Sequence, residues 1–409
     1  MNFDTTEHVL PGPPADGGLS LAFVRAVPRQ FDAESIEYAD SSNNKEVWFP
    51  TLEHLFDLQE KDTDHESPCV VVEAWAMDVP NHGRAAVLNE HIPPQIADGI
   101  CERLSSIRCY LAFAHNIAQA GQQAARAVQV LLKSGLITGS HVIGIGHSAS
   151  ACVLYALSLS LSLPHGAVRL THRFHRIQST VGYPLNALPD ASMVLFEPVI
   201  LTCTVLEQTL QGDSSLRKIL EYTRTRRDIW SFRAAAHSWL AARRPWSQWD
   251  ARVLDLYIEH ALCDLPTAVY PDEHEGVTLA TTRAAELAAY THYEDAFEAA
   301  EILPSLCNVG LPVHIVWATV KDRLPQPVHK CAVNAAANSP VRLFWNVVQG
   351  GHQIVQENPH GVAGAIWETL RHNAKLIYQN ERCEIVVEKL LPDWDEEDAS
   401  MLLQDHWPH

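Results

Sequence analysis

The chain has 409 residues, 47% of them hydrophobic, so it can bury a large core and has room for an inserted domain. Its net charge of −19 at pH 7 argues against nucleic acid and anionic membrane surfaces as partners, because both repel an acidic protein. No apolar run approaches the roughly 18 residues that a membrane span needs.

The cysteines and the two ends of the chain favour an intracellular protein. Nine cysteines form no C-x-x-C pair, and an odd number scattered along a large chain suits reduced thiols better than disulfides. The first residues lack the basic and apolar parts of an export signal. The last residues, His-Trp-Pro-His, differ from the Ser-Lys-Leu peroxisomal address, so we expect the cytoplasm rather than the peroxisome.

The first 140 residues predict one half of a sheet. Leu19–Pro28 indicates a hairpin-like opening, and the apolar run Cys69–Trp75 predicts a buried strand that leads to Asp78 and a turn at His82 and Gly83. The segment 116–132 is typical of an amphipathic helix that ends near Gly135.

The run HVIGIGHSAS, His141–Ser150, predicts a buried strand, a tight turn at Ser148 and a following helix over 149–161. A nucleophile on such a turn has a strained backbone and needs small residues two positions before and after it. Those residues are Gly146 and Ser150, the second standing where glycine is usual. Ser148 is therefore a candidate nucleophile; the alternative is that it only caps the helix.

Later strands supply a candidate acid and base. The strand 193–196 ends at Glu197, the strand 313–317 is followed by a loop with Asp322, and the strand within 341–351 ends in a glycine pair before His352. Ligands of an open parallel sheet lie at the carboxyl ends of its strands, so these side chains can meet Ser148 there.

Residues 201–305 show helical periodicity, many charges and no convincing strand, which predicts a helical cap; residues 1–200 and 306–409 would form the core. A basic run, 224–227, adjoins a dense group of aromatic residues. These side chains either pack the cap helices together or roof an apolar tunnel for a bulky substrate. The group comprises Trp230, Phe232, Trp239, Trp246 and Trp249.

Three segments together resemble the α/β-hydrolase superfamily: GHSAS at 146–150, VWATVKDRLP at 316–325 and GGHQIVQENP at 350–359. The segments 78–90 and 249–266 and the pair Glu197-Pro198 are similar to fungal hydrolase-like proteins of secondary-metabolite and toxin pathways, some of which resemble a peroxisomal lipase. The resemblance implies a mostly parallel central sheet flanked by helices, with a helical cap inserted between late strands.

The resemblance also implies roles. Ser148 would be the nucleophile, His352 the general base and Asp322 the carboxylate that orients His352. Glu197 is the alternative acid, because some hydrolases of this fold take it from the earlier strand; the K-D-R-L-P setting favours Asp322.

The oxyanion hole departs from the family pattern. One backbone donor would come from Ala149, and the other from the loop within 36–48, where Asp40 and Ser41 replace the usual His-Gly. A carboxylate of Asp40 pointing inward would oppose a developing oxyanion, whereas in a polar turn it faces solvent. With His147, Trp230 and Trp249, these residues complete the candidate oxyanion and substrate site.

Three functions stay open. The first is a serine hydrolase that cleaves an ester, thioester or lactone of a hydrophobic small molecule through an acyl-enzyme. The second is a lyase or cyclase that uses His352 and a carboxylate for proton transfer, and the third is a non-catalytic binding protein. No nucleotide loop or zinc-ligand spacing is present, so we expect no cofactor and no metal. The oligomeric state is left open.

Overall fold

The structure is a computed structural model. Residues 150–161 of the helix expected over 149–161, the start of the helix expected over 116–132, and Ser41 lie outside the residues that it describes. The described residues are 1–13, 18–29, 35–40, 44–62, 70–91, 127–137, 142–149, 192–210, 215–291, 293, 296, 297, 299–301, 303, 312–324, 326–337 and 343–379.

Eight strands of the described chain form one mixed sheet. They are β1 (Phe3–Pro11), β2 (Ser20–Pro28), β3 (Ser35–Asp40), β4 (Glu73–Asp78), β5 (Ile143–His147), β6 (Ser192–Phe196), β10 (Val313–Ala318) and β11 (Leu343–Val348). Their order in the sheet is β1-β2-β4-β3-β5-β6-β10-β11. The pairs β1–β2 and β2–β4 are antiparallel, and the other five neighbouring pairs of this sheet are parallel. The predicted mostly parallel sheet is therefore confirmed.

Helices cover both faces of this sheet, as predicted. Alternate residues of each strand face opposite sides, so Ile145 and Phe196 join one buried cluster while Leu195 and Ile315 join the other. The first cluster packs against α1 (Phe49–Lys61) and α10 (Pro359–Gln379), and the second packs against the helical residues 127–131 and α8 (Gln326–Ala337). Two shorter helices follow strands of the sheet: α2 (Gly83–Leu88) and α9 (Ile354–Glu357).

Between β6 and β10 lies a long, mainly helical insertion. Its helices are α3 (Cys203–Leu210), α4 (Ser215–Thr225), α5 (Arg233–Ala241), α6 (Ala251–His260) and α7 (Arg283–Thr291). The expectation that this region has no strand is wrong, because β7 (Ile229–Trp230), β8 (Leu262–Asp264) and β9 (Val277–Leu279) form an antiparallel sheet in the order β7-β9-β8. Strands of two or three residues are too short for an alternating pattern to identify them.

One residue of the basic run in the insertion is buried. Arg226 of the basic run 224–227 is only 6% exposed and donates a hydrogen bond from Nη1 to Glu286 Oε1 at 2.9 Å. Its charge is therefore balanced inside the insertion, by a carboxylate of α7. In the described part of the chain, no helix is both long and apolar enough to cross a membrane.

Candidate active site

Ser148 lies on a sharp turn at the carboxyl end of β5. Its φ of +57° is in the left-handed region, which a residue with a side chain rarely occupies. Ala149 already has helical geometry, so the chain passes from strand to helix within two residues. The turn leaves Ser148 half-buried, and its backbone N–H donates to the carbonyl of Phe196 at 2.9 Å. This is the strained strand-to-helix geometry that the sequence predicts for a nucleophile.

His352 meets Ser148 from the loop after β11. The Oγ of Ser148 lies 2.9 Å from Nε2 of His352, within hydrogen-bond distance. His352 itself is only 8% exposed. The structure thus brings together two residues that are 204 positions apart in the chain.

Glu197 lies on the far side of the imidazole. Its Oε2 is 3.1 Å from Nδ1 of His352, and its Oε1 accepts the backbone N–H of Ala318 at 2.6 Å. Since a carboxylate can only accept, Nδ1 carries the proton and Nε2 is left to accept from the hydroxyl of Ser148. Ser148, His352 and Glu197 therefore form one continuous chain of hydrogen bonds.

Asp322, the acid that the sequence favours, contacts His352 differently. Its Oδ1 accepts the backbone N–H of His352 at 2.8 Å, while the ring nitrogen Nδ1 faces Glu197. The preference for Asp322 over Glu197 as the partner of the imidazole thus disagrees with the geometry. The physical reason is the left-handed turn at Glu197, φ +47°, which directs its side chain to the ring.

Burial and hydrogen bonds shift the pKa values of this chain of groups. Burial by itself would raise the pKa of Glu197, but contacts with His329, with His352 and with the N–H of Ala318 outweigh it and lower the pKa to about 2. Burial also lowers the pKa of His352, against the opposing effect of Glu197. Near neutral pH the site therefore holds an ionised glutamate and a neutral imidazole.

His329 is a site neighbour that sequence reasoning missed. Its Nε2 lies 3.9 Å from Oε1 of Glu197, and its ring stacks edge-on against Trp317 with centroids 4.4 Å apart. His329 projects from α8, is 4% exposed, and belongs to no motif. Only the packing of α8 against the sheet reveals that it faces the acid.

The loop expected to complete the oxyanion hole begins at the end of β3. In the sheet, Asp40 pairs with His147, the residue before Ser148, and on its other side with Asp78. The end of β3 therefore lies next to the end of β5, the strand that Ser148 follows. The side chain of Asp40 and residues 41–43 lie outside the described part of the chain, so its predicted orientation stays untested.

A buried charge cluster anchors the end of this loop. Lys45 is 1% exposed; its Nζ lies 3.1 Å from Asp78 Oδ2 and 2.7 Å from Glu46 Oε1. Asp78 also accepts the backbone N–H groups of Lys45 at 2.8 Å and of Arg84 at 2.9 Å. These bonds tie the residues after the loop to the end of β4 and to the start of α2. Sequence reasoning identified Asp78 as the residue after a predicted strand and as part of the resembling segment 78–90, but not as a partner of Lys45.

The family model described as "Alpha/beta hydrolase family" matches residues 40–365, which is most of the chain. The chain belongs to the alpha/beta hydrolase family. Among solved structures it is similar to the peroxisomal alpha-beta-hydrolase Lpx1 from Saccharomyces cerevisiae, with a TM-score of 0.59, 14% identity and coverage of 98% of this chain and 96% of that one. It is also similar to E-2-(acetamidomethylene)succinate hydrolase, with a TM-score of 0.52, 13% identity and coverage of 89% and 98%. No curated protein matches the sequence.

His147 and Trp249 lie close to the histidine loop of this α/β hydrolase. The Nε2 of His147 donates to the carbonyl oxygen of His352 at 2.8 Å. The indole N–H of Trp249 donates to Oε1 of Gln353 at 2.9 Å, so the insertion contacts the residue after His352. Trp230 lies elsewhere: it is 1% exposed and packs against Trp239, with ring centroids 5.7 Å apart.

Five aromatic residues of the insertion form a continuous row. Successive ring centroids are 5.7 Å apart between Trp230 and Trp239, 6.4 Å on to Trp246, 6.4 Å on to Trp249 and 5.2 Å on to Tyr257. Three of the four tryptophans are less than a tenth exposed, which fits the interpretation that they pack the insertion. Across the described ranges, no three His, Cys, Asp or Glu side chains are grouped as a metal site requires.

Proposed function

We propose that this protein is a serine hydrolase that cleaves an ester, thioester or lactone of a hydrophobic small molecule through an acyl-enzyme. The observation that carries the proposal is the hydrogen-bond chain from Ser148 Oγ to His352 Nε2, 2.9 Å, and from His352 Nδ1 to Glu197 Oε2, 3.1 Å. A serine needs an adjacent base to become a nucleophile, and the base needs a third group to orient it. Each of these groups is present at hydrogen-bond distance.

In this proposal Ser148 attacks the carbonyl carbon while His352 takes the hydroxyl proton, and the same imidazole later protonates the leaving group. Water then attacks the acyl-enzyme, again with His352 as base. Glu197 keeps the proton on Nδ1 and stabilises the imidazolium that forms at each step. With its pKa lowered to about 2, Glu197 keeps its negative charge throughout.

The developing oxyanion would be bound by backbone N–H groups. The first is that of Ala149, at the start of the helix after Ser148. The second would come from Asp40, the last residue of β3, or from Ser41, since β3 ends beside His147. Any residue except proline can supply such a donor, so the absence of His-Gly does not remove the hole.

Substrate selection would fall to the insertion, acting as a cap over roughly residues 201–305 with the core on either side of it. The support is the contact of Trp249 with Gln353, which brings an aromatic side chain of the insertion to the loop that carries His352. An apolar lining with few polar groups suits a hydrophobic small molecule. A role in fungal secondary metabolism rests only on the resemblance of the segments quoted above.

The test is covalent labelling. The purified protein is treated with a fluorophosphonate probe, intact mass is measured over time, and the same is done with Ser148→Ala and His352→Ala. We expect a single adduct on the wild-type protein, none on Ser148→Ala, and a labelling rate lower by about three orders of magnitude or more in His352→Ala.

An unlabelled wild-type protein would contradict the hydrolase proposal. It would leave the lyase or cyclase, which needs His352 but no serine nucleophile, and the binding protein. An adduct that survives in Ser148→Ala would place the reactive group elsewhere in the chain.

A further inference from the structure

We propose that Asp322, together with Glu357, is a positioning pair that holds the backbone of the histidine loop and so fixes the imidazole of His352 between Ser148 and Glu197. The inference rests on the proposed function. It assigns a role to a carboxylate at the place where the family resemblance implies the catalytic acid. Glu357 lies at the end of α9, so the two carboxylates reach the loop from different elements.

Two successive backbone amides of the loop are each held by one carboxylate. The N–H of Gly351 donates to Oε2 of Glu357 at 2.6 Å, and the N–H of His352 donates to Oδ1 of Asp322 at 2.8 Å. A side-chain oxygen that accepts a backbone N–H fixes the position of that peptide group. Together the two hydrogen bonds restrict both position and rotation of the peptide that leads into His352.

The fit around Gly351 is tight. A Cβ at this position would lie 2.9 Å from Oδ2 of Asp322 and 3.1 Å from Oε1 of Glu357. Both carboxylates thus converge on the same glycine, and a larger residue would push at least one of them away. Glycine at position 351, the second of the pair before His352, therefore allows both carboxylates to approach the backbone.

The other side of His352 is held as well. Its carbonyl oxygen accepts a hydrogen bond from Nε2 of His147 at 2.8 Å, and His147 adjoins Ser148 in β5. Both backbone polar groups of His352 are thus bonded to side chains, and one of those side chains moves with the nucleophile. Displacing a catalytic base by about 1 Å can lower the reaction rate about a hundredfold. The hydrogen bonds that fix the backbone of His352 would therefore affect the rate.

The two carboxylates lie close enough to affect each other. Burial raises the pKa of Glu357, and the negative charge of Asp322 raises it further, against the effect of the Gly351 N–H. Bringing two like charges together costs free energy, and the hydrogen bonds from the backbone N–H groups of Gly351 and His352 offset this cost. Neither carboxylate touches a ring nitrogen of His352, so neither is assigned a role in proton transfer.

The experiment compares Asp322→Asn with Asp322→Ala. Asparagine keeps an oxygen that accepts the N–H of His352, whereas alanine has none. We expect the fluorophosphonate labelling rate of Asp322→Asn to stay within about threefold of wild type and that of Asp322→Ala to fall about 10- to 100-fold. Circular dichroism and thermal melting establish that both variants are folded, and Glu357→Gln with Glu357→Ala repeats the comparison on the other amide.

Two outcomes would overturn the proposal. If Asp322→Asn loses as much activity as Asp322→Ala, by orders of magnitude, Asp322 acts through its charge, as a catalytic acid does. If neither variant changes the labelling rate, the loop needs no such support.

A second measurement separates this proposal from the proposed function. Nitrogen NMR of histidine-labelled protein, with His352→Ala for assignment, reports the ring environment of His352 without any reaction. We expect a shifted signal in Asp322→Ala and an unchanged one in Asp322→Asn, even if the wild-type protein takes up no probe. Unshifted His352 signals in both variants would contradict the positioning role.

Discussion

At the scale of single residues, Ser148 and Glu197 share a backbone feature: each directly follows one of two neighbouring strands, β5 and β6. Both have positive φ, +57° and +47°. The N–H of Ser148 donates to Phe196 O at 2.9 Å and that of Glu197 donates to Val316 O at 2.9 Å, so each residue continues the sheet ladder by one bond before the chain turns. Such conformations cost about 1–3 kcal/mol each and persist only where surrounding structure holds them. Here the side chains of Ser148 and Glu197 both lie at hydrogen-bond distance from the imidazole of His352.

The first residue-scale prediction concerns Glu197→Gln. An amide in place of the carboxylate removes the charge that stabilises the imidazolium and no longer fixes the proton on Nδ1. We expect the fluorophosphonate labelling rate to fall by about 10³ to 10⁴. Glu259→Gln, at a side chain that is 72% exposed, is the matched control and should label like wild type. A Glu197→Gln rate close to that of wild type would exclude Glu197 as the acid.

The second residue-scale prediction concerns how the fluorophosphonate labelling rate depends on pH. The base must be neutral to accept a proton, so the labelling rate falls as pH drops through the pKa of His352. Burial lowers this pKa below its ordinary value of 6.5, so the midpoint of the fall lies at a lower pH than that of a free imidazole. Glu197 opposes the shift, so Glu197→Gln should move the midpoint further toward acid. A midpoint above 6.5 in the wild-type protein would contradict this direction.

At the scale of elements, the contact between the insertion and the histidine loop depends on Trp249. Its indole N–H bonds Oε1 of Gln353, and the N–H of Asp250 donates to the carbonyl of Gln356 at 2.9 Å. Two hydrogen bonds from adjacent residues thus tie the start of α6 to the segment that follows His352.

The variant Trp249→Phe tests the hydrogen bond between Trp249 and Gln353. The variant leaves a buried amide oxygen without its donor, which costs about 1–3 kcal/mol on top of the lost ring area. Trp230→Phe is the control, because the indole N–H of Trp230 has no partner among the described residues. Trp230 is 1% exposed and Trp249 8%, so packing alone would make the Trp230 variant the less stable one. In urea denaturation we expect Trp249→Phe to lower the free energy of unfolding more than Trp230→Phe does. If Trp230→Phe were the more destabilising change, the hydrogen bond between Trp249 and Gln353 would not contribute as proposed.

At the scale of the whole molecule, the insertion and the sheet share one core. Trp230, Trp246 and Val253 of the insertion belong to the same buried cluster as Ile145 and Phe196 of the sheet. The site lies at the carboxyl ends of β5, β6, β10 and β11, which run in parallel and so end at one edge. The candidate catalytic groups therefore follow strands whose residues belong to buried clusters.

The fold and most of the candidate site could be predicted from sequence because their signals are local. Buried strands are short apolar runs, the turn at Ser148 has its small neighbour Gly146, and His352 follows a glycine pair. Ser148, His352 and both candidate acids were found this way. The strands of the insertion were missed because two or three residues carry no period.

The sequence by itself determined which residue types lie at the ends of the parallel strands, since a local pattern places a side chain at a strand end. It could not determine which carboxylate reaches the imidazole, because that depends on backbone direction at Glu197 and on the path of the loop that carries Asp322. Nor could it find His329 or Glu357, whose roles arise from helices packing against the sheet and the loop. Tertiary structure decided these points because a hydrogen bond requires a fit of a few tenths of an ångström, which residues far apart in sequence reach only after folding.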